Sequence, residues 1–544
     1  MSRHGGKLLV DQLSVHGADT VFSVPGESFL AVLDGLYESP IRLITCRHEA
    51  GAANMADAYG KLTGRPGICI VTRGPGATQA SVGVHTAFQD STPLILFVGQ
   101  VASDQEEREA FQEVDYRRMF GPLAKWVAQI ERADRIPEYV ARAFSTACAG
   151  RPGPVVLALP EDMLASETDA ADAEPFHVVQ PHPSPVLIDV MRRALGRAER
   201  PFVLAGGAGW TPRASTGIRE FAEANALPVG AAFRRQDAID NDSPSYVGDV
   251  GIGINPKLAA RVREADLLLV VGPRLGEMTT SGYTLVGEQP LIHVHPGAEE
   301  LGRVYRPALP ILSGMEHFAD AVRDLRVEPG WREWTEAARA EYEAWQQPEP
   351  MPGTLDLGVC IAHLREQVPD AIVTNGAGNF SAWVHRFWRW HDYPTQLAPT
   401  SGAMGYGVPA AVAAKAVHPD RTVICFAGDG DFLMSGQELA TAMQYDLPIV
   451  ILVVNNGMFG TIRMHQERHF PGRVVGTDLA NPDFAAYARA FGAHGETVSE
   501  TSEFPAALER ALAAGTSALL ELQIDPEAIN PRTTLSRIRT EALK

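Results

Sequence analysis

The chain has 544 residues, 45% of them apolar and 21% charged. That is a globular composition, long enough for roughly three to four domains of about 150 residues. Its 47 Lys and Arg against 66 Asp and Glu leave a net charge of −19, which repels phosphate backbones and anionic lipid and so argues against nucleic-acid or membrane-surface binding. Five scattered cysteines (Cys46, Cys69, Cys148, Cys360, Cys425) form no C-x-x-C pair, which fits a reducing, cytoplasmic setting rather than a disulfide scaffold. The opening MSRHGGKLLVDQL does not read as a signal peptide, and no apolar run approaches the ~20 residues of a membrane span.

Two polar, Pro-rich stretches, 166–186 and 346–354, read as surface connections and divide the chain into 1–165, 187–345 and 355–544. The first block runs GRPG, the apolar ICIVT, the turn RGPG, a helix-like ATQASVGVHTAFQD, then Pro93 and LILFVGQ. The middle block has the same style in PFVLAGG and ADLLLVVGPRLG. The third repeats the first as VICFA, GDGDFLMSGQELATAMQYDLP and IVILVVNN, with Gly74 matching Gly428 and Pro93 matching Pro448. The apolar runs do not alternate, so both sheet faces should be covered. Strand, helix, strand in this order is a parallel α/β unit with right-handed crossovers. The expected fold is three doubly wound parallel-sheet α/β domains, the first and third related. Such sheets bind ligands beyond the carboxyl ends of their strands, which points to 73–76 and 428–431.

The third block holds the sharpest chemistry. Asp429 sits in GDGD after a buried strand, and Asn456 sits in NN at the end of the next strand. A carboxylate, an amide oxygen and a backbone carbonyl, for which Met458 is the natural candidate, suit a hard cation. Mg²⁺ takes a few protein oxygens and completes its shell with phosphate or water. The backbone N–H groups of Gly430 and Asp431 suit a phosphate. A lone GDG would be a plain strand-to-helix turn; its pairing with NN on consecutive strands is what makes it a site.

GDGDFLMSGQELATA…NNGMFG, HEAGAANMADAYG and SGAMGYGVPAA together resemble the thiamine-diphosphate-dependent enzymes of the acetolactate synthase (large-subunit) and 2-oxo acid decarboxylase superfamily, through essentially the whole chain. The resemblance implies thiamine diphosphate and Mg²⁺ as cofactors, with Asp429, Asn456 and the Met458 carbonyl holding the metal. It implies that Glu49 hydrogen-bonds the pyrimidine ring and so promotes loss of the thiazolium proton. Gly402 accepts from the cofactor's amino group, Met404 wedges the cofactor into a bent shape, and Asn379, Gly428 and Gly76 lie at its contacts. Gln100 falls near the catalytic glutamate. Phe111, Gln112 and Lys125 align near the substrate entrance, Lys125 as a counter-charge to a substrate carboxylate.

The resemblance also implies a homodimer or homotetramer, with Glu49 of one subunit facing Asp429 and Asn456 of its partner, and a small 2-oxo acid such as pyruvate as substrate. The expected activity is decarboxylation followed by ligation to a second carbonyl; a non-ligating decarboxylase or related C–C lyase is the alternative. A cofactor-binding protein without catalysis is disfavoured by Glu49. A nicotinamide dehydrogenase is disfavoured because no full G-x-G-x-x-G lies between strand and helix.

Departures from acetolactate synthases fall in the acceptor pocket. His465 replaces a tryptophan and is the first choice, ahead of His85 and His469, for a proton relay. Thr461 replaces a methionine, and Gly378-Asn379-Phe380-Ser381 stands where G-Q-H-Q is usual. In the central block, His293-Val294-His295-Pro296 replaces an I-D-I-D-P stretch that meets FAD in many relatives, so FAD is possible but not favoured. The tail after Pro526 is a candidate cover for the site.

Overall fold

The computed structural model describes residues 2–544 and divides into two compact units. The first comprises residues up to Val179 with Val412–Val417 and Ala440–Tyr445; the second comprises Gln180–Ala411, His418–Leu439 and Asp446–Lys544.

The first unit is built on a six-stranded parallel sheet: β1 (Thr20–Ser23), β2 (Arg42–Thr45), β3 (Gly67–Val71), β4 (Leu94–Gln100), β5 (Trp126–Gln129) and β6 (Pro154–Pro160) in the order 2-1-3-4-6-5. The non-alternating runs ICIV and LILFVGQ form β3 and β4, buried along their whole length because helices cover both faces. Glu49–Thr63 is Ala-rich, its N-cap is the His48 side chain, and it ends at Gly64 in the left-handed conformation (φ 68°). It lies close to the helix Pro75–Asp90: a Cβ on Gly83 would fall 2.4 Å from that of Ala53. Both helices follow strands of one parallel sheet, so both start at its carboxyl edge.

The second unit carries two more such sheets. The central one contains β7 (Pro201–Ala205), β8 (Val229–Ala232), β9 (Tyr246–Val250), β10 (Leu267–Val271), β11 (Leu291–His295) and β12 (Leu309–Leu312), ordered 9-8-7-10-11-12. The last contains β13 (Ile372–Asn375), β14 (Gln396–Leu397), β15 (Val423–Gly428), β16 (Val450–Asn455), β17 (His494–Val498) and β18 (Ala518–Gln523), ordered 14-13-15-16-18-17. Taken in chain order within each sheet, the first and last share one strand order, which is the kinship visible in their sequences. The fold is three doubly wound α/β domains. Among the described residues no helix is long and apolar enough to cross a membrane.

One local expectation fails. The stretch after GDG is not a single helix: a four-residue turn, Asp429–Phe432, stops before a 3-10 turn, Gly436–Glu438, and the helix resumes only at Leu439–Gln444. Close packing against another loop accompanies the break, since a Cβ on Gly405 would lie 2.9 Å from that of Met434 and 3.5 Å from Ser435 Oγ.

The tail is ordered. Ala528–Asn530 and Thr533–Thr534 form a short antiparallel pair, and the helix Leu535–Ala542 packs Leu535 and Ile538 against Met458, Ile529 and Met464. Arg539 clamps it by a bidentate pair to the fully buried Glu467 side chain. Arg539, with smaller help from the Gly472 N–H and Arg463, lowers the Glu467 carboxyl to about 2. An acid depressed in the folded state gives stability that is complete above its ordinary value of 4.5 and lost as pH falls through about 2. Hydrogen-exchange protection of Leu535–Ala542 is therefore expected to fall over that window. Arg539→Ala should cost between the ~1 kcal/mol of an exposed ion pair and the ~3–5 kcal/mol of a buried one at pH 7, seen as a lower melting temperature.

Candidate active site

At the carboxyl edge of the last sheet, β15 and β16 are adjacent, with Gly428 opposite Val454. This register brings the residues just beyond both strands to the same end. A cavity of about 250 Å³ opens there, lined by Asn379, Gly402, Met404, Gly428, Asp429, Gly430, Asp431, Asn456 and Met458 among others. Asp429 is buried; its Oδ1 accepts from the Gly430 N–H (3.0 Å) and its Oδ2 from the Asn481 side chain (2.8 Å). Burial still raises its carboxyl above the ordinary range, a direction that a bound divalent cation would reverse. Asn456 Oδ1 accepts from the Met458 N–H (3.2 Å), so amide and backbone are fixed on one turn. The donor set of one carboxylate, one amide and one carbonyl fits a hard divalent ion.

Asn481 went unnoticed in the sequence. Its Nδ2 also donates to Asn455 Oδ1 (3.0 Å), tying the aspartate of GDG to the first residue of NN. The segment around it is pinned to the motif by backbone bonds from Phe459 to Thr477 and from Leu479 to Gly457.

The Gly-rich loop is held by Asp431. The Gly405 N–H (2.7 Å) and the Ala377 N–H (3.2 Å) both donate to its Oδ1, and burial pushes its carboxyl up to about 7. Its side chain thus faces the loops, while the residue lines the cavity. Gly402 and Gly405 adopt φ 70° and 77°, conformations that cost a Cβ-bearing residue energy, and these turns bring Met404 to the cavity wall. Asn379 accepts from Thr461 Oγ1 (2.9 Å) and also lines a second, larger cavity.

In the first unit, Glu49 opens its helix and is 9% exposed. Among the described residues its carboxylate has no hydrogen-bond or ion-pair partner, unusual for a near-buried charge. A Cβ on Gly76 would stand 3.4 Å from Glu49 Oε1, so Gly76 leaves space beside it. Such an open cradle and an unsatisfied carboxylate fit an aminopyrimidine. The turn at Gly74 (φ 59°) lies against Gln112, and Arg73 donates to the Phe111 carbonyl (3.1 Å), so Phe111 and Gln112 border the same edge.

Two first-unit residues are hydrogen-bonded within their own unit. Gln100 is buried, donating to the Val114 carbonyl (2.9 Å) and accepting from the Val101 N–H (3.0 Å). Lys125, read from the sequence as a counter-charge for substrate, donates to the carbonyls of Thr146 (2.5 Å) and Ala149 (2.7 Å). It serves the C-terminus of the helix Ile136–Cys148, where carbonyls lack intrahelical donors.

Three family models match: the N-terminal TPP binding domain of thiamine pyrophosphate enzymes over residues 3–119, their central domain over 188–322 and their C-terminal TPP binding domain over 376–522. Acetolactate synthase isozyme 2 large subunit of Escherichia coli is 32% identical over 534 residues, covering 96% of each chain. The chain belongs to the acetolactate synthase family of thiamine pyrophosphate enzymes. The acetolactate synthase large subunit of Parasynechococcus marenigrum (31% identical, 96% of this chain and 87% of that one) and the probable large subunit of Methanocaldococcus jannaschii (30%, 97% and 93%) are similar in the same way.

In this acetolactate synthase-like enzyme the larger cavity is lined by His465 and by part of the tail. His465 is exposed on the helix Gly460–His469, lines that cavity, and stacks on His469 at 6.2 Å between centroids. Partial burial, then Arg468 and His469, lower it from its ordinary 6.5. The tail lines both cavities, through Ala528 and Ile529 in the smaller and Asn530 to Thr533 in the larger. At the switch point of the central sheet, where β7 and β10 meet, a Cβ on Gly207 would fall 2.2 Å from the Gly272 carbonyl, and Trp210 donates to the Gly206 carbonyl. These glycines serve close packing of the chain on itself.

Proposed function

We propose that this enzyme uses thiamine diphosphate with Mg²⁺ to decarboxylate a pyruvate-like 2-oxo acid and joins the remaining fragment to a second carbonyl compound. The observation that carries this reading is the convergence of Asp429, Asn456 and Met458 on one cavity with Gly402 and Met404. In it, Asp429, Asn456 Oδ1 and the Met458 carbonyl hold the metal, and the 428–431 turn faces the diphosphate. The coenzyme, when bound, supplies the electron sink that lets the carboxylate leave as CO₂. Glu49 hydrogen-bonds the aminopyrimidine and sets which ring nitrogen carries the proton. Met404 and Asn379, both on the cavity wall, would pack against the cofactor and hold it in place. Gln100 acts by holding the loop near Val114, and His465 stands on the substrate side. The site forms between two subunits, Glu49 of one facing Asp429 of the other, in a cytoplasmic homodimer or homotetramer. Proposed domain limits are 1–165, 187–345 and 355–544, and FAD has no role in this scheme.

The test is turnover of a panel of 2-oxo acids by metal-stripped protein with thiamine diphosphate and Mg²⁺ added back, with product analysis. Ligated hydroxy-oxo acids are expected. Free aldehyde as the sole product would replace ligation by simple decarboxylation.

A further inference from the structure

The larger cavity, about 1040 Å³, shares Asn379 and Thr461 as lining residues with the Asp429 cavity. It lies at the top of the ~300–1,000 Å³ range that encloses drug-sized ligands, more than a three-carbon 2-oxo acid fills. Its lining is ordered by chemistry. His385 is 6% exposed, lines the cavity, and its Nε2 has no partner among the described residues. Burial and the Arg234 guanidinium hold this imidazole well below its ordinary 6.5, so it is neutral and offers one hydrogen bond.

The rim carries guanidinium groups. Arg537 is paired with Glu541 at 2.9 Å. Arg468 and Arg532, both exposed, make no ion pair among the described residues. Arg532 lies 5.4 Å from the Trp345 ring, on whose ring Arg386 also stacks at 3.9 Å. The buried Arg386 donates to the Trp345 and Pro531 carbonyls (2.8 Å each), so the turn bearing Arg532 is fixed to the cavity wall. The acids that face the same space are Glu541, already paired, Glu277, and Asp249, which burial pushes up to about 7. On a chain of net charge −19, two unpaired guanidinium groups at one cavity rim mark a local site for an anion.

We infer that this cavity receives the part of a 2-oxo acid substrate remote from its reacting carbonyl, and that this part bears a second anionic group, a carboxylate or a phosphate. Arg468 and Arg532 bind that group, and His385 Nε2 hydrogen-bonds the chain between it and the reacting end. The inference rests on the proposed decarboxylation for the identity of the reacting end. It names the substrate class: dianionic rather than monoanionic.

Calorimetric titration of the holoenzyme, reconstituted with thiamine diphosphate and Mg²⁺, with unreactive probes tests this apart from turnover. Glutarate and 4-phosphonobutyrate are the dianions and valerate is the monoanion of similar length. At least one dianion is expected to bind ten-fold or more tighter than valerate, with the advantage shrinking as salt rises. The tighter of the two identifies carboxylate or phosphate. Arg468→Gln and Arg532→Gln should each reduce the advantage several-fold, with melting temperatures unchanged. Valerate binding as tightly as both dianions, or a dianion advantage that survives in both variants, overturns the inference. If the dianions bind through these arginines while no 2-oxo acid turns over, the cavity assignment stands and the proposed activity falls.

Discussion

Glu49→Gln is expected to lower turnover by about 10²–10⁴-fold, the range for removal of a positioned acid–base group, while leaving the fold intact. Gln keeps the shape and one oxygen but cannot share a proton with an aminopyrimidine nitrogen. The fold should tolerate the change because the carboxylate has no hydrogen-bond or ion-pair partner among the described residues to lose. The melting temperature of the cofactor-free variant should match that of the parent. The decisive readout is deuterium exchange at the thiazolium carbon of the bound coenzyme, measured by acid quench and NMR. It should slow in parallel with turnover, with the coenzyme still bound. A variant as active as the parent would remove Glu49 from the mechanism.

Asp429→Asn is expected to weaken Mg²⁺-dependent retention of thiamine diphosphate by at least 10²-fold. The carboxylate is the only formal charge among the three proposed metal donors, and a hard cation gains most from charged oxygen. The loss should show as coenzyme released on gel filtration at micromolar Mg²⁺ and partial recovery at millimolar Mg²⁺. Stability without metal should change little, because relief of the burial that raises this carboxyl offsets the acceptor lost to the Gly430 N–H or the Asn481 amide. Asn481→Ala should cost about 10–100-fold in the same measurement, the range for residues that orient a ligand, since its amide fixes Asp429 Oδ2 at 2.8 Å. Equal coenzyme retention by Asp429→Asn and the parent at low Mg²⁺ would exclude the proposed metal site.

The α/β class and the kinship of the first and last sheets could be read from the chain because they depend on local order. An apolar run that does not alternate, a Gly turn, an amphipathic stretch and a second run specify one crossover wherever they occur. Asp429 and Asn456 were legible for the same reason, since consecutive strands of this kind pair side by side. Glu49 was legible only through the family pattern; a first-turn acid is otherwise an ordinary helix start.

What the amino-acid order by itself determined was every feature carried by short stretches: three βα repeats, the GDG and NN turns, and the glycines that free the 402–405 loop. Tertiary structure alone decided which distant groups complete them. Asn481 reaches Asp429 across two segments, Asp431 turns to hold Gly405 rather than solvent, and Lys125 answers a helix end. His385, silent in a run of aromatic and basic residues, is shown only by the fold to have an unmatched nitrogen and to line a cavity together with the chain from Pro531 onward. Such partnerships depend on how loops close over many residues, and side-chain hydrogen bonding across those distances leaves no periodic signal in the sequence.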